Sequence, residues 1–123
     1  MKFLLAQINP IVGDLEGNAK KILFIASKAF LISADFVLTP ELSLWGYPAN
    51  DLLLKKSLIN NQTQILDQLA LDIYEKYGNL SITVGIAERI EDSFFPNLYN
   101  SIALLEGGKW KICLLYTSDA ADE

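Results

Sequence analysis

Glu41 is the residue of this sequence best placed to do chemistry. It follows Pro40 directly after the apolar run Asp35-Phe36-Val37-Leu38-Thr39, and it precedes a loop that carries Leu42, Leu44, Trp45, Gly46 and Tyr47. A carboxylate crowded by apolar neighbours holds its proton more tightly than one in water, which suits a general base working near neutral pH. The same position also suits a plainer part, as the cap of the turn that Pro40 begins or as a lysine's surface partner, and spacing alone does not separate these readings. The remaining chemistry is narrowly bounded. With no histidine, the chain lacks the commonest general base and metal ligand, and the single Cys113 can form neither an internal disulfide nor a zinc site. Acid–base work therefore falls to carboxylates, lysines or tyrosines.

The other polar candidates read as structural. Cys113 lies inside a predicted strand without the strand-to-helix elbow that exposes a nucleophile. Lys109 and Lys111 belong to a hairpin and read as exposed turn residues. Asn100, polar within an apolar strand, reads as a buried hydrogen-bonding residue rather than a catalyst. Glu88 and Arg89, at the end of a third strand, read as a solvated pair.

The elements that must position Glu41 follow from the hydrophobic period. Phe3 to Asn9 predicts a buried strand ended by Pro10 and the turn at Gly13-Asp14. From Asn18, a candidate N-cap, to about Ser33, the residues Ile22, Ile25, Ala26, Ala29 and Phe30 share one helical face. Residues 35–39 predict a second strand, stopped by Pro40. Strand, helix and strand at this spacing make a βαβ unit with parallel strands. Residues 40–51 predict a structured loop at that strand's carboxyl end, where parallel α/β sheets commonly place their sites. A second helix spans about 58–77, with Ile65, Leu66, Leu69, Ile73 and Tyr77 as its stripe and Gly78 as its stop. Ser81 to Ala87 predicts a third buried strand, and residues 98–105 and 109–115 flank Glu106-Gly107-Gly108 as a hairpin. The order βαβαββ gives an α/β fold with a mixed sheet.

Composition agrees with one globular unit: 123 residues, 51% apolar and 20% charged. Ten basic residues against fifteen acidic ones, with Arg89 the sole arginine, leave no basic surface for a phosphate backbone, so nucleic acid is not an expected partner. No apolar run is long enough to cross a bilayer, and the start is too quickly polar for a signal peptide, so a cytoplasmic setting without membrane contact is expected. The last residues, Thr117 to Glu123, turn abruptly small and acidic.

Several ordered motifs resemble one family. Gln7-Ile8-Asn9-Pro10, Val12-Gly13-Asp14-Leu15, Gly17-Asn18, Leu38-Thr39-Pro40-Glu41-Leu42-Ser43 and Gly46-Tyr47-Pro48 together resemble the opening of nitrilase-superfamily carbon–nitrogen hydrolases. Within that superfamily, Gly46-Tyr47-Pro48 followed by Asp51-Leu52-Leu53-Leu54 is most similar to the N-terminal glutamine amidase domain of the glutamine-dependent NAD synthetases. Leu98-Tyr99-Asn100-Ser101 before Glu106-Gly107-Gly108-Lys109 resembles the hairpin that follows in the same family. Trp45 and Ala49-Asn50 depart from the family's commoner choices around the substrate pocket.

The resemblance implies a partial nitrilase-type αββα sandwich, truncated, with one sheet face and edge left without cover. It places the family's catalytic glutamate at Glu41 and a glutamine-pocket residue at Tyr47. The family's lysine and nucleophilic cysteine fall after the hairpin, beyond the matched residues, so the fragment by itself is expected to be inactive. It is expected to bind no cofactor, with ATP and magnesium implied for the parent's synthetase domain alone. That parent is expected to hydrolyse glutamine and pass ammonia on for amidation of nicotinate adenine dinucleotide to NAD. Its implied partners are glutamine, the remainder of the amidase and synthetase domains, and further copies of itself as a homo-oligomer. A free-standing superfamily amidase and a non-catalytic α/β binding domain are the alternatives. Residues 1–112 are expected to form the hydrolase part, and 113–123, which also resemble a translated adapter sequence, an unrelated tail.

Overall fold

Three short apolar runs separated by two amphipathic helices, then a hairpin, generate the architecture. The structure, a computed structural model, describes residues 1–46, 56–92 and 95–115, the side chains of 56–58, 89–92, 95–99 and 114–115 excepted. In order the elements are β1 (Phe3–Leu5), α1 (Leu15–Leu31), β2 (Phe36–Leu38), α2 (Lys56–Tyr77), β3 (Ser81–Asp92), β4 (Phe95–Glu106) and β5 (Lys109–Leu115). The strands form a five-stranded sheet in the order β1-β2-β3-β4-β5. The first three are parallel and the last two run antiparallel, which makes the sheet mixed as expected.

Both crossovers step the same way across the sheet, so a common hand puts α1 and α2 on the same face. The core lies there. Ile22, Ala26 and Ala29 of α1 and Leu66, Leu69, Ala70 and Ile73 of α2 close over Val37, Ile82, Val84, Ile86, Ala103 and Leu105. Each large side chain of this set contributes roughly 1.5–3 kcal/mol by leaving water, which exceeds what intrinsic helix propensity supplies per residue. Burial therefore fixes the helices. The alternate strand residues face the other way: Phe3 and Leu5 are exposed, Leu38 less so, and the tilted rings of Phe3 and Phe36 meet there with centroids 5.9 Å apart. Among the described residues nothing covers this second face.

Several boundaries differ from the sequence expectation for identifiable reasons. The first strand is short and only Leu4 is half-buried, because β1 is a sheet edge with one face open. α1 begins earlier than Asn18: Asp14 is its N-cap, its carboxylate accepting from the Gly17 amide at 3.0 Å. Phe30, placed on the core stripe, is exposed and instead leans on Tyr77 at 5.3 Å between centroids. β3 and β4 run well past the lengths predicted, since each completes the other's ladder from Ile82↔Leu105 to Asp92↔Phe95. The hairpin between β4 and β5 turns on Gly107 and Gly108, at φ 63° and 81°, the left-handed pair that a two-residue turn requires.

Candidate functional site

β2 stops at Leu38, and β3 does not. Beyond Thr83, the outward amides and carbonyls of β3 have lost their neighbouring strand and need other partners. The turn after β2 supplies them. The Thr39 amide and hydroxyl both donate to the Thr83 carbonyl, at 3.3 and 2.7 Å. One step on, the Ser43 hydroxyl accepts from the Gly85 amide at 2.9 Å while the Leu44 amide donates to the Gly85 carbonyl at 3.1 Å. Another step on, the side chain of Gln62 on α2 serves Ala87, accepting from its amide at 3.1 Å and donating to its carbonyl at 2.7 Å. Thus the turn that carries Glu41 is hung from the exposed margin of β3.

The close fit depends on Gly85. A Cβ there would stand 2.3 Å from the Leu42 amide nitrogen and 2.5 Å from the Pro40 carbonyl oxygen, so only glycine lets the turn reach the strand. The turn itself is tight: the Ser43 amide donates to the Pro40 carbonyl, and the Trp45 and Gly46 amides both donate to Leu42. Leu42 takes a left-handed backbone at φ 52° although it is not glycine, and its side chain is buried. Trp45 is fully buried, with its indole N–H donating to the Gln62 amide oxygen.

A second anchor comes from α1. Asn18 is fully buried; its amide nitrogen donates to the carbonyls of Ile11 at 2.8 Å and Leu44 at 2.9 Å, and its oxygen accepts from the Ile11 amide at 2.8 Å. It ties the loop after β1 to the turn after β2. Gly46, at φ 80°, then lies so close to Val12 that a Cβ would meet that residue's backbone at 2.9 Å. Sequence reasoning gave Asn18 a capping role and passed over Gln62 altogether. A polar residue three or four places from members of an apolar stripe, as Gln62 is from Ile65 and Leu66, was the available signal.

On this frame Glu41 stands at the exit of β2, beside a concavity of about 230 Å³ lined by Thr39, Pro40, Glu41, Asn100, Ser101 and Ile102. The Asn100 amide donates to Glu41 Oε1. Asn100 is thus half-buried and engaged with the candidate base, not the buried structural residue expected from sequence. The apolar crowding expected around Glu41 is also not what is seen. The residue is exposed, because it belongs to the uncovered face of the sheet. Tyr47 lies outside the described residues. Glu88 is half-buried rather than solvated, burial pushing its carboxyl above the ordinary value, and by strand alternation it faces the helices, away from Asn100. The side chain of Arg89 lies outside the described residues.

The remaining candidates stay apart from this group. Cys113 is exposed in β5, beside the register shift that separates Ile112↔Ala103 from Leu114↔Ile102, and Lys109 and Lys111 are exposed as expected. No cluster of carboxylates or thiol able to hold a metal occurs among the described residues, and no helix there is long and apolar enough to cross a membrane.

No family model matches the chain. It is 40% identical to the glutamine-dependent NAD(+) synthetase of Synechocystis sp., over 97% of its own length and 22% of that protein. Among solved structures, the glutamine-dependent NAD+ synthetase of Acinetobacter baumannii superposes with a TM-score of 0.75 at 30% identity, covering 94% of this chain and 20% of that one. An amidase from Nesterenkonia sp. shares the fold, with a TM-score of 0.68 at 20% identity over 95% of this chain and 42% of that one. The chain spans about a fifth of the length of the curated relatives it matches. Fold and sequence agree on one lineage: the chain belongs to the glutamine-dependent NAD synthetases, as a part of their N-terminal amidase domain, and it shares the fold of a nitrilase-superfamily amidase.

Proposed function

We propose that this chain supplies the general base of a glutamine amidase, and that the base is Glu41. The observation that carries the reading is the Glu41 carboxylate at the carboxyl end of a parallel strand, beside a cavity, with one oxygen accepting from the Asn100 amide. The nucleophile and the oxyanion-stabilising lysine come from parts of the enzyme outside these 123 residues, since Cys113, Lys109 and Lys111 stand apart from the cavity. Glu41 takes the thiol proton, the thiolate attacks the carboxamide carbon, and the lysine holds the oxygen that becomes negative. Glu41 returns the proton to the departing nitrogen, which leaves as ammonia. Water, deprotonated by the same carboxylate, then hydrolyses the glutamyl thioester. Tyr47 contributes to the glutamine pocket.

In the whole enzyme the ammonia serves a synthetase domain that uses ATP and magnesium to amidate nicotinate adenine dinucleotide to NAD. The ATP and magnesium chemistry is assigned to that synthetase domain. The enzyme is cytoplasmic and works as a homo-oligomer. The test is Glu41→Gln in the full-length protein, which keeps the shape of the side chain and removes the base. Glutamine-dependent NAD formation falls by about 10²–10⁴-fold while ammonia-dependent formation persists, and Cys113→Ser changes neither. Retention of glutamine hydrolysis by Glu41→Gln refutes the assignment. An amidase without a synthetase partner, the alternative within the superfamily, forms no NAD from ammonia.

A further inference from the structure

The Glu41 carboxylate is exposed, so packing around the side chain does not aim it; its position depends on the turn below it and on Asn100 beside it. Both supports converge on one buried side chain. Gln62 of α2 is 4% exposed and makes three hydrogen bonds, all across the sheet margin. One is to the Trp45 indole, which closes the turn opened by Glu41. The other two are to the backbone of Ala87, the cross-strand partner of Asn100 in the β3–β4 ladder. A primary amide can accept and donate side by side along a strand edge as a neighbouring strand does, and here it stands where β2 would have continued. Burying such a group is costly unless each polar atom is engaged, and a helix that only needed to pack would carry an apolar residue in this position.

We infer that Gln62 is a positioning residue for the amidase base: it holds the Glu41 turn and the strand pair presenting Asn100 in one fixed relation, and so sets the reach of the Glu41 carboxylate. This rests on Glu41 being the base. Gln62 touches neither substrate nor reacting atoms, and it acts through Trp45 on one side and Ala87 on the other. Removing its polar atoms lets the turn and the ladder move independently, and a displacement of about 1 Å at a reacting group is enough to slow chemistry by about 10²-fold.

The test uses the full-length protein. Gln62→Met keeps the length of the side chain and removes its hydrogen bonds, while Trp45→Phe removes the indole donor and keeps an aromatic ring in the core. Initial rates of glutamine hydrolysis are measured from acid to neutral pH, with thermal unfolding followed in parallel and Glu41→Gln as the control. The expected result for Gln62→Met is a kcat about 10–100-fold lower with KM within about twofold, and a shifted acid limb of the kcat profile. Trp45→Phe shows the same pattern to a smaller extent, and carries the test alone if Gln62→Met fails to fold. Variants that melt earlier but keep the parental kcat and pH profile overturn the inference. If Glu41→Gln is itself harmless, the reading of the base falls first; if Glu41→Gln is disabling and both other variants are neutral, only the role of Gln62 falls.

Discussion

At the scale of single residues, the chain separates chemistry from packing by which face of the sheet a side chain takes. Glu41 and Asn100 meet on the open side, where a carboxylate can reach a substrate, whereas Glu88 is turned toward the helices and held partly out of water. Burial favours the neutral form of Glu88, so the folded state binds its proton more tightly than the unfolded chain does. The contribution to stability is then complete below the ordinary value of 4.5 and is lost as pH rises through the raised one. Glu88→Gln should flatten that part of the stability profile and make the amidase unit less sensitive to pH on the alkaline side of the ordinary value, as read from urea midpoints. A midpoint difference between parent and variant that stays constant with pH would argue against it. The place of Glu41 at a strand's exit was legible from sequence, because proline, strand end and aromatic loop coincide around it. The link to Asn100 was not, since the pair is 59 positions apart and is formed only by the register of β3 with β4.

Elements were more legible than their joints. The 3.6-residue period marked both helices, the apolar runs marked the strands, and the paired glycines marked the hairpin, because each of those signals is local. What local pattern cannot show is how a strand edge is satisfied after its neighbour stops. Here Ser43, Leu44 and Gln62 do it, from two places in the chain. Asn18 was misassigned for the same reason, its partners Ile11 and Leu44 lying on two different loops. Gly85 offers the sharpest check on this joint. Gly85→Ala puts a methyl group into the Pro40–Leu42 backbone and should cost about 1–3 kcal/mol, measured by denaturant unfolding. It should also depress glutamine hydrolysis, because the turn is what yields. A variant as stable and active as the parent would mean that the turn does not rest on β3.

For the whole molecule, the feature with the widest reach is the sheet, which among the described residues has helices on one side only. A βαβαββ order whose crossovers share a hand leaves its opposite face to other material, and Phe3, Leu5 and Leu38 on that face are apolar and exposed. Extended apolar surface of this kind drives association in water. The 123 residues produced alone should therefore sediment with a concentration-dependent mass, and the pair Leu5→Lys with Leu38→Lys should reduce that dependence. A monomer at every concentration tested would contradict the exposure seen here. The sandwich implied by family resemblance is consistent with this half-covered sheet, and the two-helix layer together with the mixed strand order accounts for the shared fold with the amidases.

The left-handed backbone at Leu42 sets two demands against each other at a single position. Torsional comfort there favours a residue with no side chain, but the core takes up the four carbons of leucine, and Glu41 is the residue just before. A lineage carrying this turn can ease the twist or fill the core, not both, which narrows the alphabet available beside Glu41 to residues willing to be bent.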